Sequence, residues 1–75
     1  MFDELMEKYC GEIFEYCKSL LGGDSDGAEE CTQEVFVTLY KSMNRLKMSD
    51  DVRYRLYKIA ARKVKEYIKK NGKGN

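Results

Sequence analysis

The sequence predicts an all-α protein, a small three-helix bundle whose C-terminal helix is long and basic. Apolar residues recur at spacings of three and four residues through three separate segments, which is the period of an amphipathic helix. No segment keeps the period-two alternation of a strand. The chain has no Pro, and most of its six Gly stand where a helix would begin or end. Its 75 residues have room for one small domain, which we place at residues 1–70, followed by a flexible tail at 71–75.

The first helix is predicted over about residues 3–21. Asp3 is the expected N-cap residue, and Gly22-Gly23 can adopt the left-handed backbone that commonly ends a helix. The predicted buried face consists of apolar residues at helical spacing, namely Phe2, Leu5, Met6, Tyr9, Ile13, Tyr16, Cys17 and Leu20.

The second helix is predicted over about residues 27–46. Asp26 and Glu29 have the spacing of a capping box at its start. Its predicted buried face is Ala28, Cys31, Val35, Phe36, Leu39, Met43 and Leu46. The opposite face is mainly acidic and polar, with Glu29, Glu30, Gln33, Glu34 and Lys41 on solvent-facing positions. Acidic residues near a helix N-terminus also interact favourably with the helix dipole, so the sequence leaves a stabilising role and a binding role equally open.

The third helix is predicted over about residues 51–70, with Ser49 or Asp50 as its N-cap residue. Its apolar side is Val52, Leu56, Ile59, Ala60, Val64 and Tyr67. The opposite side carries five cations spaced three and four residues apart, which we call the basic row: Arg55, Lys58, Arg62, Lys65 and Lys69. Tyr54 and Tyr57 are predicted to flank this row, where aromatic rings could contact unstacked bases.

Charge is divided unevenly along the chain. Residues 52–75 contain nine Lys or Arg and one Glu, a net charge of +8, whereas residues 1–51 contain five Lys or Arg and twelve Asp or Glu, a net charge of −7. A solvated helix face usually mixes the two signs, and like charges at helical spacing repel one another. The basic row therefore predicts a polyanionic ligand, and the acidic remainder predicts a separate, basic partner.

No metal site, disulfide or enzymatic centre is expected. The chain has an odd number of cysteines, Cys10, Cys17 and Cys31, with no CxxC motif and no His near them. We therefore expect these cysteines to be structural. The segment Asp24-Ser25-Asp26-Gly27 lacks the spacing of a calcium loop, since Val35 stands where the bidentate Glu would be. Nothing in the sequence pairs a nucleophile with a base, so no catalytic residue or cofactor is predicted.

The sequence has neither an apolar run long enough to cross a bilayer nor the basic-then-apolar order of a signal peptide at Met1-Phe2-Asp3-Glu4. We therefore expect a cytoplasmic protein with no membrane partner.

Three blocks carry a family resemblance: Ala28-Glu29-Glu30-Cys31-Thr32-Gln33-Glu34-Val35-Phe36, Leu56-Tyr57-Lys58-Ile59-Ala60 and Glu66-Tyr67-Ile68-Lys69-Lys70. They are similar to an acid-acid-x-x-Gln-Glu-x-Phe motif, to Leu-Tyr-Arg-Ile-Ala and to Asp-Tyr-Leu-Arg. In this order and spacing they resemble region 2 of bacterial sigma factors, and more narrowly the extracytoplasmic-function (ECF) group of the sigma-70 family. The likeness runs from about Phe2 to Lys70 and implies a domain that acts in transcription initiation.

In that family the Gln-Glu pair of the second helix docks on the coiled-coil clamp helices of the largest RNA polymerase subunit, a basic partner. The resemblance therefore implies that Gln33 and Glu34, supported by Glu30, bind core RNA polymerase. It also allows an anti-sigma factor as a further partner.

In the same family, the loop before the last helix and the start of that helix bind the non-template strand of the promoter minus-ten element and capture a flipped base. The resemblance implies that the segment from Leu46 to Asp51, with Ser49 and Asp50, forms the wall of that pocket. Arg62 stands where Asn is common. The other four members of the basic row, Arg55, Lys58, Lys65 and Lys69, would hold phosphates without reading sequence.

The chain departs from the family pattern at several positions. Arg55 replaces the usual Trp, Ala61-Arg62 replaces Arg-Asn, Leu46 replaces Phe and Glu66 replaces Asp. The second, minus-thirty-five domain of a sigma factor is not represented, so we expect either an excised domain or a short region 2 protein that works with a partner. Two alternatives stay open: a polymerase-docking regulator or co-sigma partner without its own promoter choice, and an unrelated basic helical adaptor.

Overall fold

A computed structural model describes residues 2–42 and 51–71. These residues form three α-helices. The helices are α1, Phe2–Leu20; α2, Ser25–Lys41; and α3, Val52–Asn71. Each helix contacts the other two, so the predicted all-α bundle with a long basic C-terminal helix is confirmed. Within the described residues there is no strand.

The end of α1 follows the predicted glycine rule. Gly22 and Gly23 have φ values of 66° and 95°, a left-handed backbone that costs a residue with a Cβ atom free energy but not glycine. The Gly23 N–H donates to the carbonyl oxygen of Lys18 at 2.8 Å, which satisfies one of the last carbonyls of the helix. The start differs from the prediction, because α1 begins at Phe2 and Asp3 lies within its first turn.

The start of α2 also corrects the sequence prediction. Asp24, rather than Asp26, is the N-cap residue: its backbone is extended, and its Oδ1 accepts a hydrogen bond from the Gly27 N–H at 3.0 Å. Because the helix starts at Ser25, Gly27 and Ala28 lie within its first turns, and both are buried in the protein. Asp26 therefore lies in the first turn and forms no capping box with Glu29.

The segment between α2 and α3 lies mostly outside the described residues. The second helix ends at Lys41, earlier than predicted, because the Ser42 hydroxyl and N–H both donate to the Leu39 carbonyl and so satisfy a terminal acceptor. The predicted helical extension through Met43 to Leu46 lies outside the described residues. Ser49 and Asp50, the predicted N-cap residues of α3, also lie outside the described residues. Asp51 caps α3 in the structure, because its Oδ1 accepts a hydrogen bond from the Tyr54 N–H at 3.1 Å.

The core lies where the three helices meet. It contains Ile13 and Cys17 of α1, five apolar residues of α2 and three of α3; the last eight are Ala28, Cys31, Val35, Phe36, Leu39, Leu56, Ala60 and Val64. Every residue on the predicted buried face of α2 that the structure describes is buried. Thr32 is buried as well, and its hydroxyl donates to the Ala28 carbonyl at 2.7 Å, which satisfies its polar group.

The buried face of α1 is shifted from the predicted one. Met6 and Leu20 are exposed, whereas Phe14 packs against the core, as does Leu21, the residue that follows the helix. The side chain of Phe2 lies outside what the structure describes. The shift arises because α1 carries apolar residues around about half of its circumference, so its spacing alone does not decide which ones face α2 and α3.

Candidate functional site

The basic row occupies the side of α3 opposite the core. Lys58, Arg62, Lys65 and Lys69 are exposed, and Arg55 is half-buried. Leu56, Ala60 and Val64 fill the interior from the other side of the same helix. Burial of the apolar side therefore fixes the outward direction of the row, since one helix cannot turn both sides inward.

Ion pairs distinguish the row from Arg53 and Lys63, two other cations of α3. Arg53 lies on the side facing α1, and its Nη2 is 2.7 Å from Glu12 Oε2. Lys63 lies against α2, and its Nζ is 3.8 Å from Glu66 Oε1. In the described parts of the chain, no carboxylate lies within ion-pair distance of the four exposed members of the row. Their charge is thus available to an external anion.

Arg55 differs from the rest of the row. Its Nε is buried and has no hydrogen-bond partner among the described residues. Arg55, Lys58, Ile59 and Arg62 line a concavity of about 230 Å³ on the surface of α3. Three cationic side chains around one concavity form a suitable site for a phosphate group, which accepts several charge-assisted hydrogen bonds at once.

The two tyrosines beside the row have different environments. Tyr54 is 61% exposed, and Lys58 Nζ lies 5.5 Å from the centre of its ring. Tyr57 was predicted to flank the row, but this was wrong: its ring packs edge-on against Tyr16 at 4.6 Å, and its hydroxyl donates to Glu12. Its position two residues after Arg55 places it on the side of α3 that meets α1.

The acidic and polar residues predicted on α2 form a second outward face. Glu30, Gln33 and Glu34 are all exposed. Along the same face, Val37 is 51% and Tyr40 62% exposed. These two apolar residues were missed in the sequence, although their spacing of four and seven residues from Gln33 places them on the same side of the helix.

This apolar part of the α2 face adjoins α1. Met6, Gln33, Phe36, Val37, Tyr40 and Lys41 line one shallow, almost entirely apolar hollow of about 510 Å³. The outward face of α2 therefore changes along its length, from acidic near Glu30 to apolar near Tyr40. Such a face suits a protein partner better than a nucleic acid.

The buried cysteines contribute packing rather than chemistry. All three cysteines are free thiols, and Cys17 and Cys31 are buried while Cys10 is exposed. Burial raises the pKa of the Cys31 thiol to about 11, and the negative charges of Glu34 and Glu30 act in the same direction. A thiol that keeps its proton at neutral pH is a poor nucleophile and a poor metal ligand.

Some of the predicted site residues lie beyond what the structure describes. Within residues 2–42 and 51–71, no group of His, Cys, Asp and Glu could hold a metal ion. None of the helices that the structure describes is long and apolar enough to cross a membrane. The predicted base-reading residues Leu46, Ser49 and Asp50 lie outside the described residues. Arg62, which stands where Asn is common in the family, is exposed on α3.

Comparison with known proteins places the chain in a family. Neither a curated protein nor a solved structure matches it. The Sigma-70 region 2 family matches residues 5–74, almost the entire chain. This family match agrees with the all-α fold. The chain belongs to the Sigma-70 region 2 family of transcription initiation factors.

Proposed function

We propose that this domain belongs to the ECF group and joins core RNA polymerase to the opened promoter strand. Its acidic α2 face would bind the clamp helices of the largest polymerase subunit, and its basic row would bind the non-template strand of the minus-ten element. The observation that carries this proposal is the pattern of ion pairs on α3. Arg53 and Lys63 are each paired with a carboxylate, whereas no carboxylate of the described residues lies within ion-pair distance of the exposed members of the basic row.

The polymerase contact is assigned to Glu30, Gln33 and Glu34, which are exposed on one helix face. Carboxylates steer a basic partner into place and select against wrong partners. We extend this contact to Val37 and Tyr40, because exposed apolar area at the centre of an interface contributes more to affinity than charges at its rim. The polar motif would then set specificity while the apolar part supplies much of the binding free energy.

The promoter contact is assigned to the basic row. Arg55, Lys58, Lys65 and Lys69 would hold phosphates, which position a strand without reading its sequence. Base choice is assigned to Arg62 together with Leu46, Ser49 and Asp50. Extruding a base from the duplex costs a few kcal/mol, which the contacts to the flipped base must return.

Two variants test the proposal, each directed at one face. The first carries Gln33→Ala and Glu34→Lys, and the second carries Lys58→Gln, Lys65→Gln and Lys69→Gln. Each is assayed for capture of bacterial core RNA polymerase and for binding to a single-stranded minus-ten oligonucleotide. Lys8→Gln, which removes one exposed cation from α1, is the control for loss of a positive charge outside the basic row.

We expect the first variant to lose polymerase capture and keep DNA binding, and the second to do the reverse. Loss of three phosphate contacts should reduce the salt dependence of single-strand binding, the slope of log K against log salt, by about 2. The control should change neither. Unchanged capture by the first variant would overturn the docking assignment. Equal affinity of the unmodified domain for minus-ten and scrambled oligonucleotides would overturn sequence reading and favour a docking regulator without promoter choice.

A further inference from the structure

One polar cluster joins α1 to the first turns of α3. It belongs neither to the outward face of α2 nor to the basic row. Glu12, near the middle of α1, accepts hydrogen bonds on the same oxygen, Oε2, from Arg53 Nε at 2.8 Å and from the Tyr57 hydroxyl. Arg53 Nη2 is 2.7 Å from that oxygen. We call Glu12, Arg53 and Tyr57 the Glu12 cluster.

The Glu12 cluster lies on the side of α3 that faces away from the basic row. Arg53 and Tyr57 are four residues apart and so lie one above the other along the helix. Arg55, the first member of the row, lies between them in sequence and projects to the opposite side. The Tyr16 ring meets the Tyr57 ring edge-on, which adds an aromatic contact to the same junction.

We propose that Glu12 is a positioning residue for DNA binding, which anchors the first turns of α3 to α1 and thereby orients Arg55 and Lys58 toward the phosphates. This inference rests on the proposed role of the basic row. The rigidity it supplies matters because phosphate contacts contribute most when the side chains that make them are held in place before binding.

The rest of the fold indicates that loosening this junction would act on one face. Ile13 and Cys17 of α1 are fully buried in the core beside α2, so α1 and α2 stay packed without the Glu12 cluster. The residues assigned to polymerase docking lie on α2, which contributes no member to the Glu12 cluster. Hydrogen bonds from Tyr57 and Arg53 hold the pKa of Glu12 below its ordinary value of 4.5, so the carboxylate is ionised at neutral pH.

The test compares Glu12→Ala with Glu15→Ala, an exposed carboxylate on the same helix. Both substitutions remove one negative charge, which by itself would strengthen binding to a polyanion. We expect Glu12→Ala to weaken single-stranded minus-ten DNA binding about fivefold relative to Glu15→Ala. Polymerase capture should stay within about twofold for both. Glu12→Gln, which keeps the shape and the hydrogen bond from Tyr57, should weaken DNA binding less.

A charge exchange, Glu12→Arg with Arg53→Glu, separates pairing from mere loss of packing. We expect it to recover most of the DNA affinity that Glu12→Ala loses. DNA binding by Glu12→Ala as tight as that of Glu15→Ala would overturn the inference, as would a parallel fall in DNA binding and polymerase capture. If the unmodified domain binds no DNA, the proposed role of the basic row fails instead, and this outcome is distinct from the other two.

Discussion

The outward faces of α2 and α3 differ in composition although both helices bury their inward sides in the same core. The α2 face runs from acidic at Glu30 to apolar at Tyr40, whereas the exposed side of α3 is a continuous row of cations. Most helix stability in a folded protein comes from the buried side. The outward sides can therefore carry groups that bind partners, even where neighbouring like charges on the same helix repel one another.

Opposite charge on neighbouring helices would also keep the two proposed ligands apart. A polyanion attracted to the basic row is repelled by Glu30 and Glu34, and a basic protein attracted to α2 is repelled by the row. The faces share only the packing beneath them. Substitutions in the shared core should affect both faces, and substitutions on one face should leave the other intact.

The largest effect is expected from the shared core. Leu56 is fully buried on α3, and Leu56→Ala should lower the free energy of unfolding by about 2–5 kcal/mol, because it removes buried methyl groups and leaves a cavity. Urea unfolding followed by circular dichroism measures this change. Val37→Ala, half-exposed on α2, is the control and should stay within about 0.5 kcal/mol. Selective loss of one binding activity in Leu56→Ala would contradict a common core.

A smaller effect is expected where α2 and α3 meet at Gly27. A Cβ atom at Gly27 would lie 2.7 Å from Asp24 Oδ2 and 2.9 Å from Tyr67 Cε2, closer than van der Waals contact allows. Gly27→Ala should therefore cost about 1–3 kcal/mol of unfolding free energy, measured as a lower urea midpoint. Adding Tyr67→Leu removes the ring and should recover part of that loss. An unchanged midpoint in Gly27→Ala would show that Tyr67 moves aside freely.

Sequence reasoning predicted local features better than contacts between distant residues. The buried face of α2 and the exposed basic row follow from spacing within one helix, and both agree with the structure. The cap of α2 was misplaced because Asp24 and Asp26 are equally good acceptors, and burial of Gly27 under Tyr67 decides between them. The Glu12 cluster joins residues more than forty positions apart, which no local pattern reveals. The predicted roles of the site residues stay predictions.

Cys31 lies beneath the junction of the two faces, and its raised pKa predicts that the protein loses stability at alkaline pH. Burial raises its pKa from an ordinary 9.0 to about 11, so the folded state keeps a proton that the unfolded state releases. The contribution of the protonated Cys31 thiol to the free energy of unfolding is fully present below pH 9 and is lost as pH rises through 11. At pH 10 the free energy of unfolding should be lower by on the order of 1 kcal/mol. Urea unfolding at pH 8 and pH 10 measures it. Cys31→Ala should show a smaller decrease between the two, and an equal decrease would assign the effect to Cys17, Tyr57 or Tyr67, whose pKa values are also raised.

The smallest effect is expected on α1, at a position that belongs to neither face. Gly11 is exposed in the middle of α1, and a Cβ atom there would have no neighbour within 4 Å. Gly11→Ala should therefore raise the free energy of unfolding by about 0.5–1 kcal/mol, because alanine loses less backbone entropy on entering a helix. DNA binding and polymerase capture should both stay unchanged, since the substitution stabilises the fold without touching either face. A weaker capture of either ligand would mean that the surface of α1 around Gly11 makes a contact of its own, and the division of binding between α2 and α3 would then be incomplete.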